Sequence, residues 1–356
     1  MTPPSSPSIS PSSSNAPVSP GASVPPPRSK PSGTSACCGG CGCERSESHR
    51  LRVAVLCGGP DAERPVSLNS GRGVFEALRA VGGLDVSHHE IHTLTQADLS
   101  GIAADVFFPV LHGAWGEGGV LQELLERDGR PFVTSGSRAA RLAMDKIESK
   151  KIAVAAGVRT AEWCELRSPA DPLPLAVPCV LKPIDDGSSV DVFICRSDRD
   201  VATARAGLHA KRARFMAERF IPGRELTVGI VGTEVNSLIE IKPNVEFYDY
   251  EAKYTREDTN YIVNPAVPRD VAPGVCADAL KVFTAIGCRD LARIDFRYDD
   301  TPSGDGRWYF LEINTIPGFT SHSLVPKGAA ARGESMSALC ARLVQMAVAR
   351  RRSALA

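Results

Sequence analysis

The sequence predicts a mixed α/β and α+β protein, in which a parallel, doubly wound N-terminal domain precedes two α+β domains. Two observations carry this prediction. Between residues 50 and 145, an apolar strand, a glycine-rich loop and an amphipathic helix follow one another twice, which is typical of a doubly wound parallel sheet. After residue 146 the strand-like runs come in pairs with turn residues between them, which indicates antiparallel hairpins.

Residues 1–49 differ in composition from the rest of the chain. They are rich in Pro, Ser and Gly and nearly lack large apolar side chains, so we expect a disordered tail without a core, and no signal peptide. Cys37, Cys38, Cys41 and Cys43 could form a metal or redox cluster there. Their spacing lacks the paired C-x₂-C form of zinc sites, which favours a flexible Cys/Gly-rich tail or a start codon placed too far upstream.

Charge and apolar patterning limit the partners that the chain can have. It has 41 Lys+Arg and 41 Asp+Glu, so no basic excess would attract nucleic acid or anionic lipid. Its longest apolar runs have the length of strands and fall short of a membrane span. The cysteines after residue 50 are scattered among apolar residues and are expected to be reduced. We therefore predict a cytoplasmic protein with no nucleic-acid or membrane partner.

The N-terminal domain is expected to span residues 50–145. The buried strand "RVAVLCGG" comes first, and the helix after it is expected to begin with Ser67 as its N-cap. "DVFFPVLHG" is predicted to be a second strand, and "GVLQELLERDG" a second helix. Doubly wound sheets bind ligands at the carboxyl ends of their strands, where Glu63 and His112 fall.

The central domain is expected to span residues 146–230. "DKIESKKIAVAAGV" has the pattern of a helix, and "PCVLKPIDDGSSVDVFIC" that of two strands joined by a Gly-Ser turn. A further hairpin is predicted around Pro222 and Gly223, where two strand-like runs meet. A helix combined with hairpins predicts an α+β domain.

The C-terminal domain is expected to span residues 231–356 and to contain a long loop, "FYDYEAKYT". Two strands follow, "LARIDFRYDD" and "RWYFLEINT", joined by the turn-rich "DDTPSGDG". Because side chains alternate along a strand, Arg293 and Asp295 share one face, and so do Glu312 and Asn314. If the strands pair, one surface carries all four side chains.

Asp295, Glu312 and Asn314 offer only hard oxygen ligands, which suit Mg²⁺ better than zinc. The alternative is an exposed sheet on which nearby Lys and Arg side chains satisfy these groups. Glu312 lies between apolar neighbours in "YFLEINT", and burying an unpaired carboxylate is costly. The sequence therefore favours a metal site, and Mg²⁺ in such a site usually bridges phosphates.

Phosphates need hydrogen-bond donors, and the sequence has no P-loop. Lys182 on a strand, followed by Gly187, Ser188 and Ser189, could cradle phosphates through backbone N–H groups and hydroxyls. A Gly-Ser-Ser run is also a common hairpin turn, and Lys146 could equally be a surface lysine. These residues indicate a phosphate site only in combination with the acidic surface.

Eight segments together resemble the motifs of the D-alanine–D-alanine ligases in order and spacing. They are "GGPDAERPVSLNSG", "LHGAWGEGG", "RLAMDKIESK", "VLKPIDDGSSV", "AERFIPGRELTV", "IKPNVEFYDYEAKYT", "ARIDF" and "EINTIPGFTSHSLVP". The resemblance covers residues 52–348 and implies an ATP-grasp fold of three domains, with ATP between the central and C-terminal ones. It also implies D-alanine and ATP as substrates, and a homodimer.

The resemblance implies a role for each candidate residue. Glu63 would bind the ammonium group of the first D-alanine, and with Ser188 and Tyr254 it would form a hydrogen-bonded triad that latches the "YDYEAKYT" loop over the site. Arg293 and the Gly318 N–H would stabilise the transferring phosphoryl group and the carbonyl oxygen. The residues implied to bind the amino-acid substrate are His112, Ser323 and Leu324. Those implied to bind ATP are Lys146, Lys182, Glu218, Glu225 and Lys253. Those implied to hold two Mg²⁺ ions, which Mn²⁺ could replace, are Asp295, Glu312 and Asn314.

The implied reaction joins two D-alanines for the synthesis of peptidoglycan precursor. The carboxylate of the first attacks the γ-phosphate of ATP, and the amine of the second attacks the resulting acyl phosphate. Relatives that use D-serine or D-lactate as second substrate stay open as alternatives. Those that make depsipeptides lack the loop tyrosine, and Tyr254 is present here. A nucleotide-binding protein without ligase activity is the alternative from another class.

Four residues depart from the usual pattern of this family. Pro65 stands in place of an acid, Gly118 in place of an Asp, Asp191 in place of a Gly, and Phe319 in place of a Met. Asp191 has the most bearing on function, because a charge next to the phosphate loop could stiffen the loop or repel ATP.

Overall fold

The computed structural model describes residues 50–188, 190–242 and 259–355. The elements of the N-terminal domain are β1 (Leu51–Gly58), α1 (Arg64–Val81), β2 (Leu84–Ile91), α2 (Gln96–Gly101), β3 (Val106–Pro109), α3 (Gly113–Glu117), α4 (Val120–Asp128) and α5 (Ser137–Met144). The three strands form a parallel sheet in the order β2-β1-β3, which confirms the predicted parallel α/β unit. As the middle strand, β1 is fully buried from Val53 to Cys57.

Helix α1 has Glu63 as its N-cap, so the prediction that Ser67 would be the N-cap is wrong. Pro65 lies in the first turn, where backbone N–H groups have no partner within the helix, so the N–H that proline lacks is not needed. Proline at this position favours a helix that begins before Ser67. The Ser67 hydroxyl instead accepts from the Gly58 N–H at 2.8 Å and donates to the Val110 carbonyl at 2.7 Å. It thereby joins α1 to the ends of two strands.

The central domain contains an antiparallel four-stranded sheet. Its elements are α6 (Lys146–Ala155), β4 (Trp163–Leu166), β5 (Cys179–Lys182), β6 (Phe193–Cys195), α7 (Asp198–His209) and β7 (Phe215–Arg219). The strand order is β4-β7-β5-β6, and β5 and β6 form the predicted hairpin with Cys179 opposite Cys195. Leu181 of the sheet and Leu208 of α7 share one buried core.

The C-terminal domain contains a six-stranded antiparallel sheet. Its elements are β8 (Arg224–Val231), β9 (Glu234–Val235), β10 (Ile239–Lys242), β11 (Asn260–Val263), α8 (Val271–Ile286), β12 (Leu291–Tyr298), β13 (Trp308–Asn314), α9 (Leu324–Ala330) and α10 (Met336–Leu355). The strand order is β11-β10-β8-β12-β13, with β9 beside β8. Because β7 and β8 belong to different sheets, the predicted hairpin around Pro222 and Gly223 is wrong. Local patterning identifies a strand but not the neighbour it pairs with.

Helix α10 brings the end of the chain back to the N-terminal domain. It packs against α1 and β3, where Leu339 and Leu343 share a buried core with Val74 and Phe108. Within the described segments the cysteines are free thiols, four of them buried and three half-buried. No helix in these segments is both long enough and apolar enough to cross a bilayer.

Candidate active site

A cleft lined by residues of all three domains contains most of the predicted site. The predicted residues that line it are Glu63, Ser188, Glu225, Arg293, Asp295, Glu312, Asn314, Gly318, Ser323 and Leu324. An adjoining pocket adds Lys146, beside Glu312 and Asn314. Tyr254 and Lys253, by contrast, lie outside the described residues, as does Ser189 in the loop after β5.

The predicted acidic surface exists, because β12 and β13 pair in the register that the alternation required. Arg293 lies opposite Asn314, and Asp295 lies opposite Glu312. The Arg293 guanidinium binds Asp295 at 3.0 Å (Nε to Oδ1) and at 2.8 Å (Nη2 to Oδ2). The Thr227 hydroxyl donates to Asp295 Oδ1 at 2.6 Å. The buried carboxylate of Asp295 is therefore compensated from within the protein.

Glu312 and Asn314 lie at the end of β13, where Lys146 approaches them. Lys146 Nζ is 3.3 Å from Glu312 Oε2 and donates to the Asp186 carbonyl at 2.6 Å. Asn314 Oδ1 accepts from the Ile316 N–H at 3.0 Å. In the described part of the chain, no three His, Cys, Asp or Glu side chains converge as a metal site would require. The oxygen donors here fit a Mg²⁺ ion that takes part of its coordination from phosphates or water.

Glu63 and Ser188 come from different domains and meet at the cleft. Ser188 Oγ donates a hydrogen bond to Glu63 Oε1, so the structure contains the contact that the resemblance implied between these two. A Cβ on Gly187 would lie 3.2 Å from Glu63 Oε2, tighter than usual van der Waals contact. The absence of a side chain at Gly187 therefore favours the close approach of this loop to α1.

His112 is the N-cap residue of α3 and lies behind the cleft wall, with 4% of its surface exposed. Its ring hydrogen-bonds to the backbone of Ile316, whereas its Nε2 has no hydrogen-bond partner among the described residues. Burial lowers the pKa of His112, and the nearby Glu63 only partly opposes this, so the imidazole is neutral at pH 7.

Glu117 belongs to the site although the sequence did not indicate it. It is buried, lines the cleft, and accepts the Gly113 N–H at 3.2 Å through Oε1. Burial raises the pKa of Glu117 well above its usual value, and the neighbouring Glu63 raises it further. The signal for Glu117 is its place as the one acid in "HGAWGEGG", a segment that follows the carboxyl end of a strand.

The predicted nucleotide end contains three buried charged side chains. Lys182 Nζ donates to Glu218 Oε1 at 2.5 Å, and Lys150 Nζ lies 2.9 Å from Glu218 Oε2. Burial alone would raise the pKa of Glu218, but Lys150 and Lys182 outweigh it and hold this pKa at about 2. Both carboxylate oxygens of Glu218 thus face lysines. Its predicted part in an adenosine pocket remains a prediction, as does that of Glu225.

Lys150 was missed because "KIESKK" reads as the polar face of an exposed helix. The pattern does not reveal that α6 turns this position toward β7 and β13. Glu225, on β8, lies 3.7 Å from Arg297 through its Oε2 atom and lines the cleft.

The loop after β13 is fitted closely against α1 and α9. A Cβ on Gly318 would lie 2.7 Å from Ser323 Oγ, so a side chain here would displace that hydroxyl. Ser323 is the N-cap residue of α9, and its hydroxyl accepts the Thr320 N–H at 2.8 Å. The Phe319 N–H donates to Ser70 Oγ of α1 at 3.1 Å. These contacts fix the backbone on which the predicted oxyanion donor lies.

Asp191 has a left-handed backbone with φ +55° and two cationic partners. Lys211 Nζ is 2.7 Å from Asp191 Oδ1, and Arg212 Nη2 is 3.3 Å from Oδ2. The hydrogen bond from Lys211 lowers the pKa of Asp191, which burial partly opposes. The charge of Asp191 is therefore compensated locally, so this departure tethers the loop and does not present a bare negative charge to ATP.

Sequence comparison places this geometry in a family. A family model described as the D-ala D-ala ligase C-terminus matches residues 156–345. A D-alanine–D-alanine ligase from Gluconobacter oxydans (strain 621H) is 41% identical over 311 residues, which cover 84% of this chain and 100% of that protein. One from Acidiphilium cryptum (strain JF-5) is 42% identical over 311 residues, which cover 84% and 99% of the two chains.

Solved structures agree with the sequence comparison. The D-alanine–D-alanine ligase from Bacillus anthracis complexed with ATP has a TM-score of 0.73 and 29% identity, and the match covers 86% of this chain and 100% of that chain. The VanG D-Ala:D-Ser ligase from Enterococcus faecalis has a TM-score of 0.72 and 26% identity, with 84% and 100% covered. The predicted ATP-grasp fold is confirmed. The chain belongs to the D-alanine–D-alanine ligase family.

Proposed function

We propose that this protein is an ATP-dependent ligase that joins two D-alanines into D-alanyl-D-alanine for peptidoglycan precursor synthesis. One observation carries the proposal. The surface formed by Arg293, Asp295, Glu312 and Asn314 faces the same cleft as the Glu63–Ser188 contact, so groups suited to phosphate and to an amino acid lie together. A protein that only binds nucleotide would not need both.

The protein groups divide the reaction between two ends of the cleft. Glu63 binds the ammonium of the first D-alanine, whose carboxylate attacks the γ-phosphate of ATP to give an acyl phosphate and ADP. Arg293 stabilises the charge on the transferring phosphoryl group, and the Gly318 N–H stabilises the oxyanion formed when the second amine attacks. Phosphate then leaves. Ser323 and the Leu324 N–H bind the carboxylate of the second substrate.

Asp295, Glu312 and Asn314 would hold two Mg²⁺ ions, which supply charge neutralisation for the phosphates. In the structure each of the two carboxylates already forms an ion pair, Asp295 with Arg293 and Glu312 with Lys146. When phosphates enter, Lys146 can turn from Glu312 to the polyanion, and Lys182 and Lys253 add further positive charge. Because Lys146 and Lys182 each have an acidic partner in the protein, Glu312 and Glu218, neither lysine is a buried charge alone before phosphate binds.

The identity of the second substrate is the finer part of the proposal. The likeness to a D-Ala:D-Ser ligase at 26% identity keeps D-serine as a second candidate. D-Alanine is favoured by the higher identity, 41%, to a D-alanine–D-alanine ligase. Tyr254 supports a peptide product over a D-lactate ester. We also propose a homodimer and a cytoplasmic location on the strength of the family.

Product analysis tests the proposal. The protein is incubated with Mg-ATP and with D-alanine, D-serine, D-lactate or L-alanine, singly and in pairs, and ADP release and product mass are measured. D-Alanine alone should give ADP and D-alanyl-D-alanine in equal amounts, and L-alanine should give neither. The proposal fails if ADP forms without dipeptide, or if neither forms with D-alanine.

A further inference from the structure

Lys150 is a buried cation to which the proposed reaction assigns no role. Its side chain is 0% exposed, and its Nζ lies 2.9 Å from Glu218 Oε2. It also donates to the Thr160 hydroxyl at 2.6 Å and to the Phe310 carbonyl at 3.2 Å. A buried ammonium group is unfavourable unless charges and hydrogen bonds compensate it, and one carboxylate and two hydrogen-bond acceptors do so here.

Glu218 gives one oxygen to each of two lysines. Its Oε1 accepts from Lys182, and its Oε2 faces Lys150. We call these three side chains the buried charge cluster. One carboxylate and two ammonium groups sum to a net charge of +1. Without Lys150, Lys182 and Glu218 would form a closed neutral pair at the predicted phosphate site.

The cluster also lies at the junction of two sheets. Lys182 and Glu218 belong to the central sheet, on β5 and β7, whereas Phe310 belongs to β13 of the C-terminal sheet. Lys150 therefore contacts both sheets, and it meets β13 only two residues before Glu312. Lys150 can therefore influence both the charge and the distance between the two sheets at the point where they meet.

We propose that Lys150 is a positioning residue for ATP, which shares Glu218 with Lys182 and so keeps the predicted nucleotide end of the cleft at a net positive charge. This inference rests on the proposed function, in which Lys182 binds ATP phosphates. It explains why the chain buries an ammonium group that cannot itself reach the cleft. It also gives Glu218 a role that does not require contact with adenosine.

The cluster has a pH signature. Burial lowers the pKa of Lys150 to about 8, Glu218 opposes this, and Lys182 and Glu312 are the other charged groups that act on it. When pH rises through about 8, Lys150 loses its proton and the charge of the cluster falls from +1 to zero. The KM for ATP should rise across this range, whereas the KM for D-alanine should not follow it.

The Lys150→Met variant removes the charge and keeps most of the side-chain length. The Phe310 carbonyl stays paired with the Thr160 hydroxyl at 2.8 Å, whereas the buried Glu218 Oε2 loses its cationic partner. We expect the KM for ATP to rise about tenfold at pH 7, or ~1.4 kcal/mol, with the KM for D-alanine changed less than about twofold. Lys151→Met is the matched control, because that lysine is 54% exposed and pairs with Glu148.

A double variant separates charge from packing. Lys150→Met combined with Glu218→Gln returns the cluster to +1, through Lys182 alone. It should lower the KM for ATP about threefold or more from the value of Lys150→Met. If the double variant is no better than the single one, the charge argument is wrong. Because Glu218→Gln removes the carboxylate of the cluster, the double variant leaves no unpaired buried carboxylate there, and circular dichroism should show that it folds.

The outcomes distinguish this inference from the proposed function. A wild-type enzyme that makes dipeptide, but whose KM for ATP does not rise above pH 8 or does not change in Lys150→Met, overturns the inference alone. An equal effect of Lys151→Met also overturns it. A wild-type protein that makes no dipeptide refutes the proposed function, and ATP binding by calorimetry then tests the cluster by itself.

Discussion

Replacing Arg212 by Ala should loosen the loop after β5. Arg212 Nη2 forms ion pairs with Asp186 and with Asp191, which stand on either side of Gly187 and Ser188 in the chain. The variant removes both pairs at once. The loop then keeps only the Lys211–Asp191 pair to the segment after α7, and the donors that we expect to meet phosphate are held less firmly.

The magnitude follows from how exposed these charges are. The side chains of Arg212, Asp186 and Asp191 are 22%, 30% and 15% exposed, so the two pairs are partly solvated. Pairs of this kind contribute roughly 0.2–1 kcal/mol each, and two of them about 1 kcal/mol in total. We therefore expect the KM for ATP to rise about fivefold, with kcat changed less than twofold, because the chemistry itself does not use Arg212.

The assay is ADP release at saturating D-alanine over a range of ATP concentrations. Lys211→Ala is the control, since it removes the same charge from the adjacent position but leaves Asp191 paired with Arg212. Its side chain is 59% exposed, and we expect a change below twofold. The Arg212→Ala effect should also shrink in about 0.5 M salt, because solvent-exposed pairs are screened.

The reasoning would be refuted by either of two results. An equal rise in the KM for ATP in both variants would mean that net charge near the nucleotide matters and that the loop contacts do not. An unchanged KM for ATP in Arg212→Ala, at low salt, would mean that the loop holds its position without these ion pairs.

Four further predictions follow from the site. Glu312→Gln should lower turnover at least a hundredfold with the melting temperature unchanged, because phosphate charge is then undercompensated; near wild-type turnover at ordinary Mg²⁺ would contradict the metal assignment. A chain without residues 1–49 should keep wild-type turnover and thermal stability, and loss of both would show that the tail is needed. Tyr254→Phe should cost about tenfold in the second half-reaction and let D-lactate compete with D-alanine; only dipeptide at every pH would argue for a packing residue. The pKa of Lys150 is lowered to about 8, so above that pH the unfolded chain binds more protons than the folded one. The unfolding free energy of wild type relative to Lys150→Met should therefore rise between pH 8 and 10 in urea titrations. A flat difference would contradict the lowered pKa.

The surface that carries Arg293, Asp295, Glu312 and Asn314 could be predicted because strand alternation and pairing determine it. Once β12 and β13 pair, period-two geometry places Arg293, Asp295, Glu312 and Asn314 on one face, and the structure has this register. The parallel N-terminal sheet followed in the same way from repeated strand–loop–helix units. These features depend on local order along the chain, which a sequence displays directly.

The features that could not be predicted depend on tertiary packing. Lys150 lies in a helix with an exposed lysine next to it, and nothing local distinguishes the buried one from its neighbour. Glu117 is part of the site only because α3 turns it back toward the Gly113 N–H. The pairing of β8 with β12, and not with β7, is likewise decided by sheet packing.

Helix α1 spaces the two ends of the cleft at which we propose that the amino-acid substrates bind. Glu63 stands at its first end, while Ser70 and Gly73 touch the loop that carries Gly318, where a Cβ on Gly73 would lie 2.5 Å from the Phe319 carbonyl. At about 1.5 Å per residue, the seven residues from Glu63 to Ser70 fix a separation of roughly 10 Å along the axis. A helix is stiff, so its length sets the distance between the two proposed substrate positions. An engineer who wants a bulkier second amino acid should therefore change the contact at Gly73 before any residue that touches a substrate.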